Sequence, residues 1–212
     1  MKTDALIEAL AADTRPIPRG VVVRRMSRAL LLAVPVVLAL VLAMGIRRDL
    51  AWAVQQPTIW LKFGYTLALG AIGLAGLRVL VRPERAPPVW LWLTVAPVGV
   101  AVVAALAEWS ATPHAVWLHL WLGPSWRVCS GLIFGLSLPV AAALTLIARR
   151  LAPTRPRATG AVIGLASAAT AAALYALHCP EMGAAFVLTW YSLGILASAG
   201  AGALLGPRLL RW

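Results

Sequence analysis

The chain has 212 residues, of which 61% are hydrophobic and only 12% are charged, and its mean hydropathy is +0.85. Because soluble domains carry about 25% charged residues, this composition excludes an ordinary soluble protein. A net charge of +12 would indicate nucleic-acid binding in a soluble chain, but here the basic residues lie at the ends of apolar segments. That placement indicates anchoring against anionic lipid headgroups. We therefore predict an integral membrane protein that contacts the lipid bilayer and binds no nucleic acid.

Residues 1–20 form the only sizeable polar tail. Thr3 can cap a short helix that Pro16 and Pro18 would end. In this helix apolar side chains share one face and acidic side chains lie on another, the residues being Leu6, Ile7 and Leu10, and Asp4 and Glu8. Helices that bind anionic membranes are usually rich in Lys and Arg, so the acidic face favours a cytosolic protein partner over a membrane surface. An interfacial helix is the alternative.

Six apolar runs follow, each close to the roughly 20 residues that a helix needs to cross a bilayer core. They are Ala29–Ile46, Ile59–Val81, Val89–Ala107, Val128–Ala148, Thr159–Leu177 and Ala184–Leu205. The predicted fold class is therefore all-α, a polytopic membrane protein with six transmembrane helices and a short cytosolic N-terminal helix. We divide it into a cytosolic segment, residues 1–27, and a transmembrane domain, residues 28–212. The tryptophan-rich segment 108–127 is predicted to be a loop lying on the membrane.

The distribution of basic residues predicts the orientation of these helices. Most of the 19 Lys and Arg residues lie in the two tails and in alternate connections. The exceptions on the opposite side are Arg47, Arg48, Lys62 and Arg127. By the positive-inside rule both termini are cytoplasmic, with the Arg47–Arg48 pair partly opposing that assignment.

Small residues predict how the last three helices pack, because they let helix backbones approach closely within a bilayer. The fifth run has them at four-residue spacing, and the sixth and fourth runs carry shorter series: Gly160, Gly164, Ala168, Ala172 and Ala176; Gly194, Ser198, Gly202 and Gly206; Gly131 and Gly135. We expect tight contact among helices four to six. An antiparallel pair of helices four and five would place Cys129 and Cys179 at the same outer surface. Helical phase leaves their contact open, because Cys129 lies about 200° from Gly131 around the helix.

Cys129 and Cys179 are the only two cysteines. On an oxidising surface such a pair can form a disulfide, stay as reactive thiols, bind a soft metal beside His178, His114 or His119, or serve only in packing. The histidines lack ligand-like spacing, so we predict no metal site and no cofactor. The seven acidic residues fall in tails or near helix ends, and there is no phosphate-binding loop or paired carboxylate. The chain is therefore not predicted to be an enzyme.

Several segments together resemble one family, the NrsF-type anti-sigma factors, which are six-span inner-membrane proteins of proteobacteria. They are Met1–Asp13, Trp126-Arg127-Val128-Cys129, Leu151–Arg157, His178-Cys179-Pro180-Glu181 and Leu209–Trp212. The resemblance implies that the cytosolic N-terminal segment holds an extracytoplasmic-function (ECF) sigma factor inactive at the inner membrane until stress is sensed. It also implies a sensing role for Cys129 and Cys179. Residues beside them in the two motifs are possible accessories: Trp126, Arg127, His178 and Glu181.

The resulting hypothesis is a redox- or metal-responsive membrane anti-sigma factor that docks its partner through Asp4, Leu6, Ile7, Glu8 and Leu10. A small-molecule transporter or a membrane thiol oxidoreductase is the alternative from a different class. A structural membrane subunit is a third.

Overall fold

The computed structural model describes Thr3, Glu8 and residues 20–81, 89–151 and 153–211, with the backbone alone described for residues 89–91. These described residues form helices and turns without a strand, which confirms the all-α prediction. In chain order the elements are α1 (Val21–Met44), α2 (Leu50–Ala53), α3 (Pro57–Leu80), a 3₁₀ helix (Val89–Thr94), α4 (Val95–Ser110), α5 (His114–Leu122), α6 (Trp126–Arg149), α7 (Pro156–Tyr175), α8 (Ala184–Phe186), a π-helical segment (Val187–Tyr191) and α9 (Ser192–Leu209). Six helical stretches among them are long and apolar enough to cross a membrane.

Local sequence explains several helix boundaries. Both α3 and α7 begin with a proline, Pro57 and Pro156, whose fixed φ suits the first helical turn. Helix α1 ends before Gly45, whose φ of +95° is rarely adopted by residues other than glycine. The segment 108–127, predicted to be a loop, instead contains helix α5 between Pro113 and Gly123. Its apolar sequence, preceded by a proline that suits a helix start and followed by a glycine that suits a helix end, explains the difference.

Helix α7 lies at the centre of the bundle, in contact with α1, α3, α6 and α9, and most of it is buried. Its alanines and glycines leave room for four neighbours. Helix α4 lies at the edge and buries only Ala101 and Ala105. The core of the bundle is therefore built around the fifth apolar run.

The predicted close contact between helices five and six is confirmed in α7 and α9. A Cβ added at Gly160 would fall on the carbonyl oxygen of Gly202, and one added at Gly164 would fall on that of Ser198. Helix α6 joins this group through Gly194 of α9, which faces the Ser130 carbonyl at 2.9 Å from an added Cβ. The two helices α7 and α9 therefore meet backbone to backbone.

The two glycines of α6 behave differently from the prediction. A Cβ added at Gly131 or Gly135 would meet nothing within 4 Å, so neither of them makes the expected helix contact. Helix α6 packs instead through the larger buried side chains of its opposite face, among them Ile133 and Val140. A close contact between α3 and α7 was not predicted: a Cβ added at Gly73 of α3 would lie 2.9 Å from Ala166 of α7.

The antiparallel course of α6 and α7 brings the start of α6 and the end of α7 to one end of the bundle, here called the cysteine end. The connections 45–56 and 176–183 and helix α5 also lie there. Four of the five residues predicted to dock a sigma factor, Asp4, Leu6, Ile7 and Leu10, lie outside the described residues. Glu8 is helical and exposed.

Candidate functional site

The structure brings Cys129 and Cys179 into direct contact. Cys129 lies in the first turn of α6, and Cys179 lies in the connection after α7. The chain makes one more turn past α7, in which the backbone N–H of Cys179 donates to the carbonyl of Tyr175 at 2.9 Å. Both cysteines are fully buried free thiols, and the two thiols lie beside each other.

Two buried tyrosines line the thiol pair. Tyr175 lies beside Cys129, and its ring centroid lies 6.0 Å from that of Tyr191. Tyr191 belongs to the π-helical segment, a local irregularity that is frequent at functional sites. Its hydroxyl is buried without a hydrogen bond of good geometry, and it is directed at Cys179. Neither tyrosine was predicted from the sequence to be a site residue.

A lysine completes the inner layer of the site. Lys62 of α3 is fully buried, and its Nζ donates to the carbonyl oxygens of Cys179, at 3.4 Å, and of Glu181. It also lies 5.3 Å from the ring centroid of Tyr191. From the sequence this lysine was predicted only to be one of the charges on the outer side. Its position inside the second apolar run was the available signal, because ionisable residues within membrane helices are usually functional.

Arg47 ties the connection after α1 to the segment that carries Cys179. Its guanidinium donates to the Cys179 carbonyl at 3.2 Å and to the Met182 sulfur at 3.2 Å, and it forms two hydrogen bonds of 2.8 and 2.7 Å with Asp49. Its backbone N–H donates to the Leu177 carbonyl at 3.0 Å. The hydrogen bond with Asp49 raises the pKa of Arg47 and lowers the pKa of Asp49. Arg47, which partly opposed the charge-based orientation, therefore has a structural role in this fold.

The side chains of the predicted accessory residues bind or pack against other groups around the thiols. Glu181 accepts hydrogen bonds from the backbone N–H and the hydroxyl of Ser125, at 3.1 and 3.0 Å, just before α6. His178 Nδ1 lies 2.7 Å from the Gly45 carbonyl. Trp126 packs against Trp190 at 5.2 Å, with Arg127 beside the Trp126 ring. In the described ranges, no three His, Cys, Asp or Glu side chains are grouped as a metal site would require.

The charges around the pair favour ionisation of Cys179. The hydrogen bond from Cys129 lowers the pKa of the Cys179 thiol, and the Lys62 ammonium and the Tyr191 hydroxyl lower it further, against the opposing effect of burial. The pair can therefore hold one proton between its two sulfurs, with Cys179 as the thiolate. Thiolates are the nucleophilic form of cysteine, so Cys179 is the more reactive of the two by this arrangement.

Comparison with known proteins gives the family. The model of the family described as "Negative regulator of sigma F", NrsF, matches residues 10–212. The chain belongs to the NrsF family. It is 38% identical over 216 aligned residues to a protein of Azospira oryzae named probable anti-sigma-F factor NrsF, and 39% identical over 220 to the anti-sigma-F factor NrsF of Caulobacter vibrioides. Each alignment covers all of both chains, and no solved structure matches.

NrsF membership confirms the family resemblance noted in the sequence. It places the chain in a regulatory family, in keeping with the expectation that it is not an enzyme, and it favours the anti-sigma hypothesis over a transporter.

The contacts of Arg47 lead to a prediction about access to the thiols. Replacing Arg47 by methionine removes hydrogen bonds that hold the Cys179 segment, each worth about 1–3 kcal/mol when it leaves a buried partner unsatisfied. We expect Cys179 in an Arg47→Met chain to react with a maleimide at least about tenfold faster, because 1.4 kcal/mol is a factor of ten in an opening equilibrium. The measurement uses the detergent-solubilised chain with Cys129→Ser.

Asp49→Asn is the matched control, because it retains the Arg47 contacts to Cys179 and Met182 and loses only a half-exposed ion pair. Its labelling rate should stay near that of the parent. Since the pKa of Asp49 is lowered in the fold, the ion pair contributes at neutral pH and is lost only as the pH falls below about 4. Equal rates in the Arg47→Met and parent chains would contradict the assigned role.

Proposed function

We propose that the chain is a membrane-bound anti-sigma factor that holds an ECF sigma factor inactive and releases it when its cysteine pair is modified. The observation that carries this proposal is the buried contact between the free thiols of Cys129 and Cys179. Full-length similarity to two proteins named as anti-sigma-F factors supports the regulatory part.

A location in the bacterial inner membrane, with both termini cytoplasmic, is part of the proposal. Its support is the six apolar helical stretches and the concentration of basic residues in the two tails and in alternate connections. Two of the four charges that opposed this orientation, Arg47 and Lys62, are buried and bound to backbone carbonyls. They therefore contribute less to the charge balance across the bilayer than surface residues would.

The cytosolic segment, residues 1–27, is the proposed docking site for the sigma factor, through Asp4, Leu6, Ile7, Glu8 and Leu10. The exposed, helical Glu8 supports a free helix surface at this point. An amphipathic helix with apolar anchors at i, i+1 and i+4 can lie in a groove of a protein partner. The acidic side chains would face basic residues of that partner.

Thiol–disulfide exchange is the proposed response of the cysteine pair. The Cys179 thiolate attacks one sulfur of a disulfide oxidant, forming a mixed disulfide and expelling one thiolate. Cys129 then gives up its proton and attacks the Cys179 sulfur, expelling the second thiolate. The net change is oxidation of two cysteines to one disulfide and reduction of one disulfide of the oxidant to two thiols. Because Cys129 lies at the start of α6 and Cys179 lies just after α7, the new bond changes how the start of α6 packs against the end of α7.

Deleting residues 1–15 tests the proposal directly. Full-length and truncated chains, solubilised in detergent, are used to capture a co-expressed sigma-F-type ECF factor. We expect capture to fall at least about tenfold on truncation, since removal of central anchors typically costs about 2 kcal/mol or more. The substitutions Lys2→Ala and Arg15→Ala, in the same tail but outside the docking residues, are the matched control and should retain capture.

The same experiment distinguishes the second candidate, a membrane thiol oxidoreductase, which the adjacent thiolate and thiol also fit. That candidate predicts no capture by the intact chain and unchanged turnover of a dithiol substrate after truncation. Unchanged capture by the truncated chain would exclude the proposed docking segment.

A further inference from the structure

We propose that Lys62 is the positioning residue of the cysteine pair: its buried ammonium holds Cys179 as a thiolate and so makes Cys179, and not Cys129, the attacking sulfur. This inference rests on the proposed role of the two cysteines and assigns a residue from a third helix to the same site. Lys62 contributes no bond to the exchange reaction. It acts through the charge that it places beside the sulfur.

Lys62 forms no salt bridge with any carboxylate among the described residues. In the part of the chain that the structure describes, the one salt bridge is Arg47–Asp49. Glu181 offers its backbone carbonyl to Lys62 and turns its carboxylate to Ser125. The ammonium is fully buried, and its recorded contacts are two carbonyl oxygens and the face of Tyr191.

A buried ammonium without a counter-charge is strongly unfavourable, so a lysine in this position either gives up its proton or has an anion nearby. The acidic groups around it are the thiols of Cys129 and Cys179, the Tyr191 hydroxyl and the Glu181 carboxylate, which is bound to Ser125 instead. A thiol ionises more readily than a phenol, with reference values of about 8.5 and about 10. With the Glu181 carboxylate bound elsewhere, a cysteine thiolate is therefore the counter-charge that the site can supply at the lowest cost.

Of the two cysteines, Cys179 supplies this counter-charge. The buried Tyr191 hydroxyl is directed at Cys179 and makes no good hydrogen bond elsewhere. Buried donors are nearly always paired, and an anionic sulfur is a stronger acceptor than a neutral thiol. The Cys129 thiol lies beside Cys179, and the carbonyl of Cys179 accepts hydrogen bonds from both Lys62 and Arg47. The surrounding donors thus converge on one sulfur.

Disulfide formation would remove this counter-charge. When Cys179 bonds to Cys129, its negative charge is gone, and Lys62 of α3 is left buried beside a neutral disulfide. The contact between α3 and the segment 176–183 then changes from favourable to costly. In this way oxidation of two cysteines on α6 and after α7 affects a helix that carries neither of them.

The test is the pH dependence of the reaction of Cys179 with a small aromatic disulfide, 4,4′-dithiodipyridine. The chain carries Cys129→Ser, so that the reaction stops at the mixed disulfide, and is purified in lipid nanodiscs. Released thiopyridone is followed from pH 4 to pH 10. Other titratable or charged groups face Cys179 from every neighbouring segment and stay unchanged: Arg47, Tyr175, His178, Glu181 and Tyr191.

We expect Lys62→Met to raise the midpoint of the rate profile by at least about one pH unit, because a nearby opposite charge typically shifts a pKa by about 1–3. At pH values below the parent midpoint the rate should then fall about tenfold, since the thiolate fraction falls by that factor there. Lys62→Arg keeps the charge and should retain the parent midpoint. Arg48→Met removes an exposed cation of the connection 45–56 and should leave the midpoint unchanged.

An unchanged midpoint in Lys62→Met would overturn the inference. If that variant does not fold, the ultraviolet absorbance of the thiolate in the parent chain decides: an ordinary thiol at pH 7 would also overturn it. The measurements use the isolated chain without a sigma factor. A normal Lys62 effect combined with no sigma-factor capture would therefore count against the proposed function alone.

Discussion

Leucine in place of Gly164 should prevent α7 and α9 from packing and leave little folded chain. The reason is geometric, because even a Cβ at this position would fall on the Ser198 carbonyl oxygen, and backbone atoms cannot rotate out of the way. Extra methylenes in a well-packed core cost about 1–3 kcal/mol, and a whole leucine side chain between two helix backbones should exceed that range. We expect the detergent-solubilised Gly164→Leu chain to aggregate or to lose its cooperative thermal transition.

Gly135→Leu is the matched control. It places the same side chain in the middle of another long helix, α6, at a position where an added Cβ meets nothing within 4 Å. This variant should accumulate and unfold like the parent chain. Similar losses in the two variants would mean that α7 and α9 are not in backbone contact.

Serine at Cys129 or Cys179 should leave repression intact and abolish induction. A hydroxyl is only slightly smaller than the thiol and can also form hydrogen bonds, but it can form neither a thiolate nor a disulfide. Expression from a sigma-factor-dependent promoter, compared before and after exposure of cells to a thiol oxidant, should therefore stay at its uninduced level in both variants. Deletion of residues 1–15 should have the opposite effect and leave the promoter permanently active, because the sigma factor is no longer held.

His119→Ala is the control for this experiment. His119 lies on α5 at the cysteine end and is not among the groups that contact the thiols. Induction in this variant should be normal. Normal induction in either cysteine variant would remove the sensing role from the pair.

The sequence predicted the helices and one of the main contacts between them because both depend on local pattern. Apolar runs of nearly 20 residues identify helices without tertiary information, and the small residues of the fifth and sixth runs identify the α7–α9 contact. The contact between the two sulfurs could not be predicted, because it depends on which face of α6 is buried. Gly131 faces open space, so the face about 200° away, which carries Cys129, is the one that packs inward.

The charged part of the site could not be predicted because it is assembled across long sequence separations. Lys62 and Arg47 come from α3 and from the connection after α1, and both reach the carbonyl of Cys179 more than a hundred residues later. Charge counting treated them as surface residues. Only packing shows that they are buried, and burial is what gives their charge an effect on the thiols.

The backbone contact between α7 and α9 also bears on how movement would pass through the bundle. Where side chains separate two helices, rotamer changes can absorb a small displacement. The carbonyl oxygens of Gly202 and Ser198 pack directly against the glycines of α7, so side-chain rotamers cannot absorb a displacement there. The two helices therefore shift together as a rigid pair. Helix α7, with 20 residues at about 1.5 Å per residue, is about 30 Å long. A tilt produced beside Cys179 would therefore be carried undiminished to the opposite end of the bundle.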